Sequence, residues 1–369
     1  MKLMLLSMIR NESKNVERCY KAVEGLVDAF CVCDTGSTDD TIEKVGEVLA
    51  GKEHQVFKNS WVNFGKNRSL SFLYARKYAK ALGWNLRDSY ALLLDADMIL
   101  MNTSLRKWLE DSKKDEGYML TQSKKHENCE YPNVRLIRLD VDWVALFPTH
   151  EVWMVKEKDR YKMLSPKEVR IPTDVCYIDD KDDGGYKADK FERDIKILLK
   201  GLEDEPKEYH PRFYFFLGQS YINLKKYDEA IKWYAKRIAS SPNIKEDEEG
   251  WYCIYYTAKC YLLKEQFVEA EYWCLKAFEA RPTRLEPLYL IIRHLCAKGN
   301  LFKAFEYAYK GVQIPFPKDD CIFVEKPIYE DIVKVASHLK GTLTTLLTAK
   351  QSPDITETTD TAEIATSTS

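Results

Sequence analysis

The chain opens on an apolar run, Leu3 to Ile9, and then alternates between two periodicities. Val16 to Leu26 has helical spacing, the continuous run Ala29 to Cys33 (AFCVC) ends at Asp34, and Ile42, Val45 and Leu49 share one face of a helix that Gly51 closes. Ser37 and Asp40 in the preceding GSTDD have the spacing of a capping box. His54 to Phe57 predicts a short strand, Ser69 to Leu82 a helix stopped by Gly83, and Tyr90 to Leu94 a fourth strand. This rhythm predicts right-handed crossovers and a mostly parallel sheet, an α/β fold in which ligands bind beyond the carboxyl ends of the strands. Asp34, Asp95 and Asp97 stand at such ends.

Beyond Asp97, Gly117 to Gln122 and Val134 to Leu139 read as strands, whereas Trp143 to Val155 reads as irregular, aromatic-rich chain with His150 and Glu151 adjacent. An acidic stretch at 179–190, DDKDDGGYKADK, separates this half from a helical one. Within it, Asp182 and Asp183 before Gly184 and Gly185 fit either the rim of a site or a hinge. The second half repeats itself. Tyr214, Leu217, Gly218, Tyr221, Ala230, Tyr234 and Pro242 occupy the spacings of a tetratricopeptide repeat. A second unit near Trp251 follows an acidic insertion and supplies Ala258, Tyr261, Ala270, Cys274, Ala277 and Pro282, and a third near Leu285 supplies Leu288, Leu295, Ala304, Ala308 and Gly311. Arg237 replaces the usual small residue of the first unit. Ile328 to Leu339 is amphipathic and suits a cap on the array. The expected division is an α/β domain over 1–185, a connecting helix over 186–210, a helical repeat domain with its cap over 211–340, and a disordered tail over 341–369, with hardly any large apolar residues from about Gln351.

Composition removes several classes of function. The 369 residues carry a net charge of −2, without the basic excess of a general nucleic-acid or anionic-membrane binder. No segment approaches the roughly 18 apolar residues of a membrane span, and the N-terminal run is too short and lacks a small-residue cleavage site for a signal peptide. The ten cysteines form no CxxC pair. Cys31 and Cys33, two apart in a strand, suit core packing better than a soft metal, and reduced thiols place the protein in the cytoplasm.

The stretch Tyr90 to Leu100, YALLLDADMIL, raises the chemical question. If it is extended, Asp95 and Asp97 face the same way and repel, unless a divalent cation or a shared proton offsets the repulsion. A strand running into an Asp-rich turn is the plain alternative. Trp143 and Trp153 offer either a floor for a sugar ring or core packing.

Taken together, MIRNE at 8–12, CDTGSTDDT at 33–41, FGKNRSLS at 64–71, LLLDADM at 92–98 and PTHEVW at 148–153 make residues 1–210 resemble the family-two glycosyltransferases of the GT-A fold. The stretch DDGGYKADKFERDIKILL followed by FYFFLGQSY is similar to the junction in members that carry C-terminal tetratricopeptide repeats. The resemblance implies a Rossmann-like GT-A domain followed by an all-α repeat domain, and transfer of a sugar from a nucleoside-diphosphate donor with inversion. It implies that Asp34 recognises the base, usually uracil, and that Asp97 holds the metal, with Asp95 on the ribose or on the metal through water. Oxygen-only ligation favours manganese or magnesium, and Arg10 and Arg68 are candidates for the diphosphate. Inversion by single displacement calls for one carboxylate base. Glu151 is the first candidate and Asp142 the fallback, while His150 is a further metal ligand, a diphosphate contact or the base itself. The repeats imply a protein or peptide acceptor or recruiter. Against this stands a second class of function, a tetratricopeptide scaffold whose first domain no longer catalyses. Sugar, acceptor and oligomeric state are not encoded in motif spacing.

Overall fold

The computed structural model describes residues 1–351 apart from 103, 113, 125–128, 166–168, 185–188 and 318–323, so Gly185 and the tail beyond 351 lie outside the described residues. Two compact units divide the chain between Phe213 and Tyr214. The expected fold class, an α/β domain followed by an all-α repeat domain, is the one the chain forms.

The first unit is built on an eight-stranded sheet. Its strands are β1 (Lys2–Ile9), β2 (Ala29–Asp34), β3 (His54–Lys58), β4 (Ser89–Leu93), β5 (Met98–Met101), β6 (Gly117–Lys124), β7 (Cys129–Arg138) and β11 (Tyr177–Asp180), in the order β3-β2-β1-β4-β7-β6-β11-β5. The first four are parallel neighbours, and the crossovers between them carry α1 (Val16–Lys21), α2 (Thr41–Val48) and α3 (Phe64–Ala81). Every residue of β2 and of β4 is buried, as expected when helices cover both faces of a parallel sheet. Cys31 and Cys33 belong to this core. β7 pairs antiparallel with β4 and β6, β11 pairs parallel with β6, and β5 returns antiparallel to β11. Helix α4 (Leu105–Asp111) follows β5, and α5 (Lys190–Asp204) follows β11.

Two expectations change, and one open choice closes. The segment 143–155 is not irregular: β8 (Trp143–Leu146) and β9 (Val152–Glu157) pair antiparallel and, with β10 (Arg160–Lys162), form a second sheet. Their alternation of buried and half-buried residues is too short to register as a strand period in sequence. Trp143 and Trp153 are both buried in the core, so neither is a sugar floor. The capping box does not form, because the Ser37 hydroxyl accepts the Asn11 N–H at 3.0 Å, and Asp40, at the helix N-cap, makes no side-chain cap.

The second unit consists of helical hairpins. Helix α6 (His210–Asn223), within which the division falls, meets α7 (Tyr227–Ala239) through Gln219 on the Tyr234 hydroxyl and Tyr214 stacked on Trp233; α8 (Glu248–Leu263) pairs with α9 (Phe267–Ala280), and α10 (Glu286–Ala297) pairs with α11 (Leu301–Gly311). The capping helix α12 (Lys326–Gln351) buries Ile328, Ile332, Ala336 and Leu339 along one stripe, and it runs through 341–351, where a disordered tail was expected. Arg237, out of place in the repeat pattern, forms a two-pronged pair with Asp247 at 2.7 and 2.7 Å, and Asp247 in turn caps α8 through the Gly250 N–H. The acidic insertion thus supplies the partner for the odd residue of the repeat. Gly218 is forced by packing: a Cβ there would lie 2.2 Å from the Tyr234 ring, itself fully buried. Gly218→Ala is therefore expected to destabilise the repeat unit by about 1–3 kcal/mol through overpacking, measured as a lowered urea midpoint for the helical transition. An unchanged midpoint would show that Tyr234 can move aside.

Candidate active site

Because β1, β2 and β4 are parallel neighbours, Arg10, Asp34 and Asp95 arrive at one edge of the sheet. β6 and β11 run in the same direction and bring Gln122, Lys124 and Asp180 to that edge. Residues 94–97 link β4 to β5, which stands at the far end of the strand order. They do so as a reverse turn in which the Met98 N–H donates to the Asp95 carbonyl at 3.0 Å. The extended geometry expected for Asp95 and Asp97 is absent, and the two carboxylates meet different neighbours.

Asp95 meets positive charge. Arg68 Nη1 lies 2.9 Å from Oδ1 and Arg135 Nη1 3.4 Å from Oδ2, while Arg68 Nε donates to Glu151 Oε1. Burial alone would raise the Asp95 carboxyl, but the charges and hydrogen bonds of Arg68 and Arg135 outweigh it and hold the pKa at about 2. For Arg68 burial works against the charged form, and Asp95 and Glu151 more than compensate, raising its pKa. Two cations and two anions balance within this cluster.

Local structure explains each placement. Asn63 caps α3 by accepting the Lys66 N–H at 2.8 Å, and the buried Asn67 side chain accepts the Val62 and Asn63 N–H groups. The Phe64 N–H donates to the Pro148 carbonyl at 3.0 Å, seating the start of α3 against the end of β8. This approach needs Gly65, where a Cβ would lie 2.3 Å from the Phe147 carbonyl oxygen. Arg68, one turn further on, thereby reaches Glu151. Arg135 is aimed by a β-bulge: Tyr118 pairs with Leu136 and Met119 with Val134, leaving Arg135 as the extra residue.

Asp97 meets other carboxylates. Oxygens of Asp97, Asp180 and Asp182 lie within 4.8 Å of one another. Asp180 is the last residue of β11 and pairs with Met98, which places it beside Asp97. Backbone donors organise the group: the Asp182 N–H to Asp180 Oδ1 at 2.9 Å and the Gly184 N–H to Asp97 Oδ2 at 3.2 Å. Lys124 Nζ lies 3.3 Å from Asp182 and 3.9 Å from Asp180. Beyond them Arg18 grips Asp183 through two contacts of 2.6 and 2.9 Å. A donor set made only of carboxylate oxygens suits a hard divalent cation.

The other candidates separate. Asp34 is buried at the end of β2, and its carboxylate accepts the Gly36 and Ser37 N–H groups at 3.3 and 3.0 Å. His150, with φ of 52°, follows β8, and Arg212 Nη2 donates to its carbonyl at 3.1 Å. Burial, then the charges of Lys190 and Arg212, draw its imidazole down to about 3, so the ring is neutral at pH 7. Its 3.8 Å approach to Asp194 is therefore not an ion pair. Asp194, unread in sequence, is buried, and burial raises its pKa. Asp142 precedes β8, is exposed and pairs with Arg76 at 2.8 Å; Arg76 lies eight residues along α3 from Arg68, roughly 12 Å away. The cluster of Asp95, Arg68 and Glu151 does not include it.

Sequence reasoning passed over Arg135, Gln122, Lys124 and Asp180. The acidic run at 179–183 was a signal for Asp180, but it read as a linker because β11 is only four residues long.

A tetratricopeptide-repeat family model matches residues 211–244. None of the curated proteins matches the chain. Among solved structures the chain is similar to S. aureus TarS 1-349 in complex with UDP, at 12% identity and a TM-score of 0.35 over 76% of this chain and 92% of that one. It is also similar to MamA from Desulfovibrio magneticus RS-1, at 18% identity and a TM-score of 0.30 over 44% and 88% of the two chains. The C-terminal part of a tetratricopeptide-repeat protein from Cytophaga hutchinsonii gives 22% identity and a TM-score of 0.30 over 45% and 63%.

The Asp95 ionisation fixes a pH dependence. With an unfolded carboxyl of about 3.9 and a folded one at about 2, its contribution is complete above roughly pH 4 and is lost as pH falls towards 2. The stability difference between wild type and Asp95→Asn, from urea unfolding, is expected to narrow over that interval; a constant difference would contradict the ion pairing. Arg68→Ala is expected to cost about 2 kcal/mol at pH 7 in the same urea unfolding, because it leaves two half-buried carboxylates, Asp95 and Glu151, without their shared partner.

Proposed function

We propose that the first unit is an inverting, metal-dependent glycosyltransferase domain, which moves a sugar from a nucleoside diphosphate, most simply UDP, onto an acceptor. The observation that carries this reading is the meeting, at one sheet edge, of the carboxylates of Asp97, Asp180 and Asp182 with two arginines, the half-buried Arg68 and the buried Arg135. A structural sheet end has no physical need for either group.

Asp97, Asp180 and Asp182 would hold manganese or magnesium, which supplies Lewis-acid charge to a diphosphate leaving group. Asp34, beside the paired ends of β1 and β2, accepts the N3–H of the base, and Asp95 accepts a ribose hydroxyl. Arg68, Arg10 and Arg135 offer guanidinium donors to the phosphate oxygens. The bond from the anomeric carbon to the phosphate oxygen breaks as the acceptor oxygen forms its own bond from the opposite face, and the proton of the acceptor passes to a carboxylate. Glu151 takes that role, held in place by Arg68. A neutral His150 with a pKa of about 3 is a poor proton acceptor at pH 7, and it serves better as a polar wall of the site. The repeats recruit a protein or peptide that carries or accompanies the acceptor.

Incubating the purified protein with a panel of UDP- and GDP-sugars, in manganese or in chelator, is expected to give nucleotide release that needs the metal and is lost in Asp97→Ala. If no donor is turned over and calorimetry finds no metal-dependent nucleotide binding, the scaffold reading takes its place.

A further inference from the structure

Between the cationic and the anionic halves of the site lies one side chain without a charge. Gln122, on β6, is buried, as are Arg135 and Asp180 on either side of it. Its Nε2 donates to Asp180 Oδ2 at 2.7 Å, and its Oε1 accepts from Arg135 Nη2 at 2.8 Å and from Asn133 Nδ2 at 3.5 Å. The orientation of the amide is determined by these neighbours: the guanidinium can only donate and the carboxylate only accept, so the oxygen faces Arg135 and the nitrogen faces Asp180. The chain of contacts runs without interruption from Glu151 through Arg68, Asp95, Arg135 and Gln122 to Asp180.

We infer that Gln122 is a positioning residue: its amide holds Asp180 in the geometry that a divalent cation requires and ties that carboxylate to Arg135 and Asp95. The inference rests on the metal-dependent reading above. Glutamine is suited to the place because it satisfies opposite demands at its two ends. A glutamate would present an oxygen to Asp180, and an apolar side chain would leave a buried carboxylate and a buried guanidinium each short of a hydrogen bond. Partners of this kind behind a metal ligand commonly govern metal affinity by tenfold or more without touching the ion. The same link predicts that Arg135, although it is a cation, supports metal binding. Its removal by charge alone would strengthen the binding of a divalent ion, whereas loss of its hold on Gln122 weakens it.

The test is calorimetric titration of the full chain with manganese alone, for wild type, Gln122→Met and Arg135→Met, together with thermal unfolding in chelator. Gln122→Met keeps the volume and removes all three hydrogen bonds; it is expected to weaken manganese about tenfold, while the melting temperature in chelator falls by several degrees and unfolding stays cooperative. Arg135→Met is expected to weaken manganese as well, and the double variant is expected to be no worse than the stronger single one, since the two residues act through one link. If Gln122→Met does not fold, Gln122→Asn, which keeps the amide and shortens its reach, takes its place with the same expected result. Manganese binding within twofold of wild type in a folded Gln122 variant would overturn the inference, and so would tighter binding in Arg135→Met. A fall in affinity matched by collapse of the metal-free melting temperature would reduce Gln122 to a packing residue. Failure of the wild type itself to bind manganese would instead remove the metal-dependent reading.

Discussion

A guanidinium taken out of water persists only where carboxylates surround it, and Arg68 lies between two of them. This one requirement fixes the relation of three parts of the α/β unit that are far apart in sequence. Arg68 comes from the second turn of α3, Asp95 from the turn after β4, and Glu151 from the link between β8 and β9. Each must stay where it is for the others to be tolerated. Gly65 makes the arrangement possible by letting the start of α3 lie directly on the backbone of residues 145–147. Arg135 adds a second cation to Asp95 and brings the cluster to balance.

The repeat unit applies the same rule for another purpose. Arg284 and Glu286 are both buried and lie 3.0 Å apart, with Arg284 also stacked 4.3 Å over Trp251 and Glu286 accepting from the Tyr329 hydroxyl at 3.1 Å. The apolar stripe of α12 discriminates weakly between registers a turn apart. A charge pair that must be matched inside the core does not, so it selects one register of α8, α10 and α12. Arg237 and Asp247 do the same between α7 and α8.

Where apolar periodicity was strong, as in the alternating strands and helices of residues 2–93 and in the repeat spacings from Tyr214, the elements were legible in the sequence. Their edges were moved by local chemistry: α3 begins at Phe64, five residues before the apolar face suggests, because Asn63 caps it. The short elements were not legible. β5, β8 and β11 are each four residues long, below the length at which a period of two can be recognised. The site suffered the same way. Asp34, Asp95 and Asp97 follow long apolar runs and stand out, whereas Asp180 follows a strand of four and sat in a run that looked like a linker. Arg135 and Gln122 could not be found, because a bulge and a register between strands are properties of pairing and not of local composition.

The reverse turn at Asp95–Met98 carries the last step of the argument. In an extended chain the two aspartates would share one environment and repel each other unless a cation or a proton lay between them. The reverse turn instead gives each its own surroundings: Asp95 faces Arg68 and Arg135, and Asp97 reaches the carboxylates of Asp180 and Asp182. One motif of three residues thus serves two electrostatic poles a few ångströms apart, one neutralised from within the protein and one made of carboxylates. The turn that ends one strand and begins β5 beside β11 is what gives the two aspartates different partners.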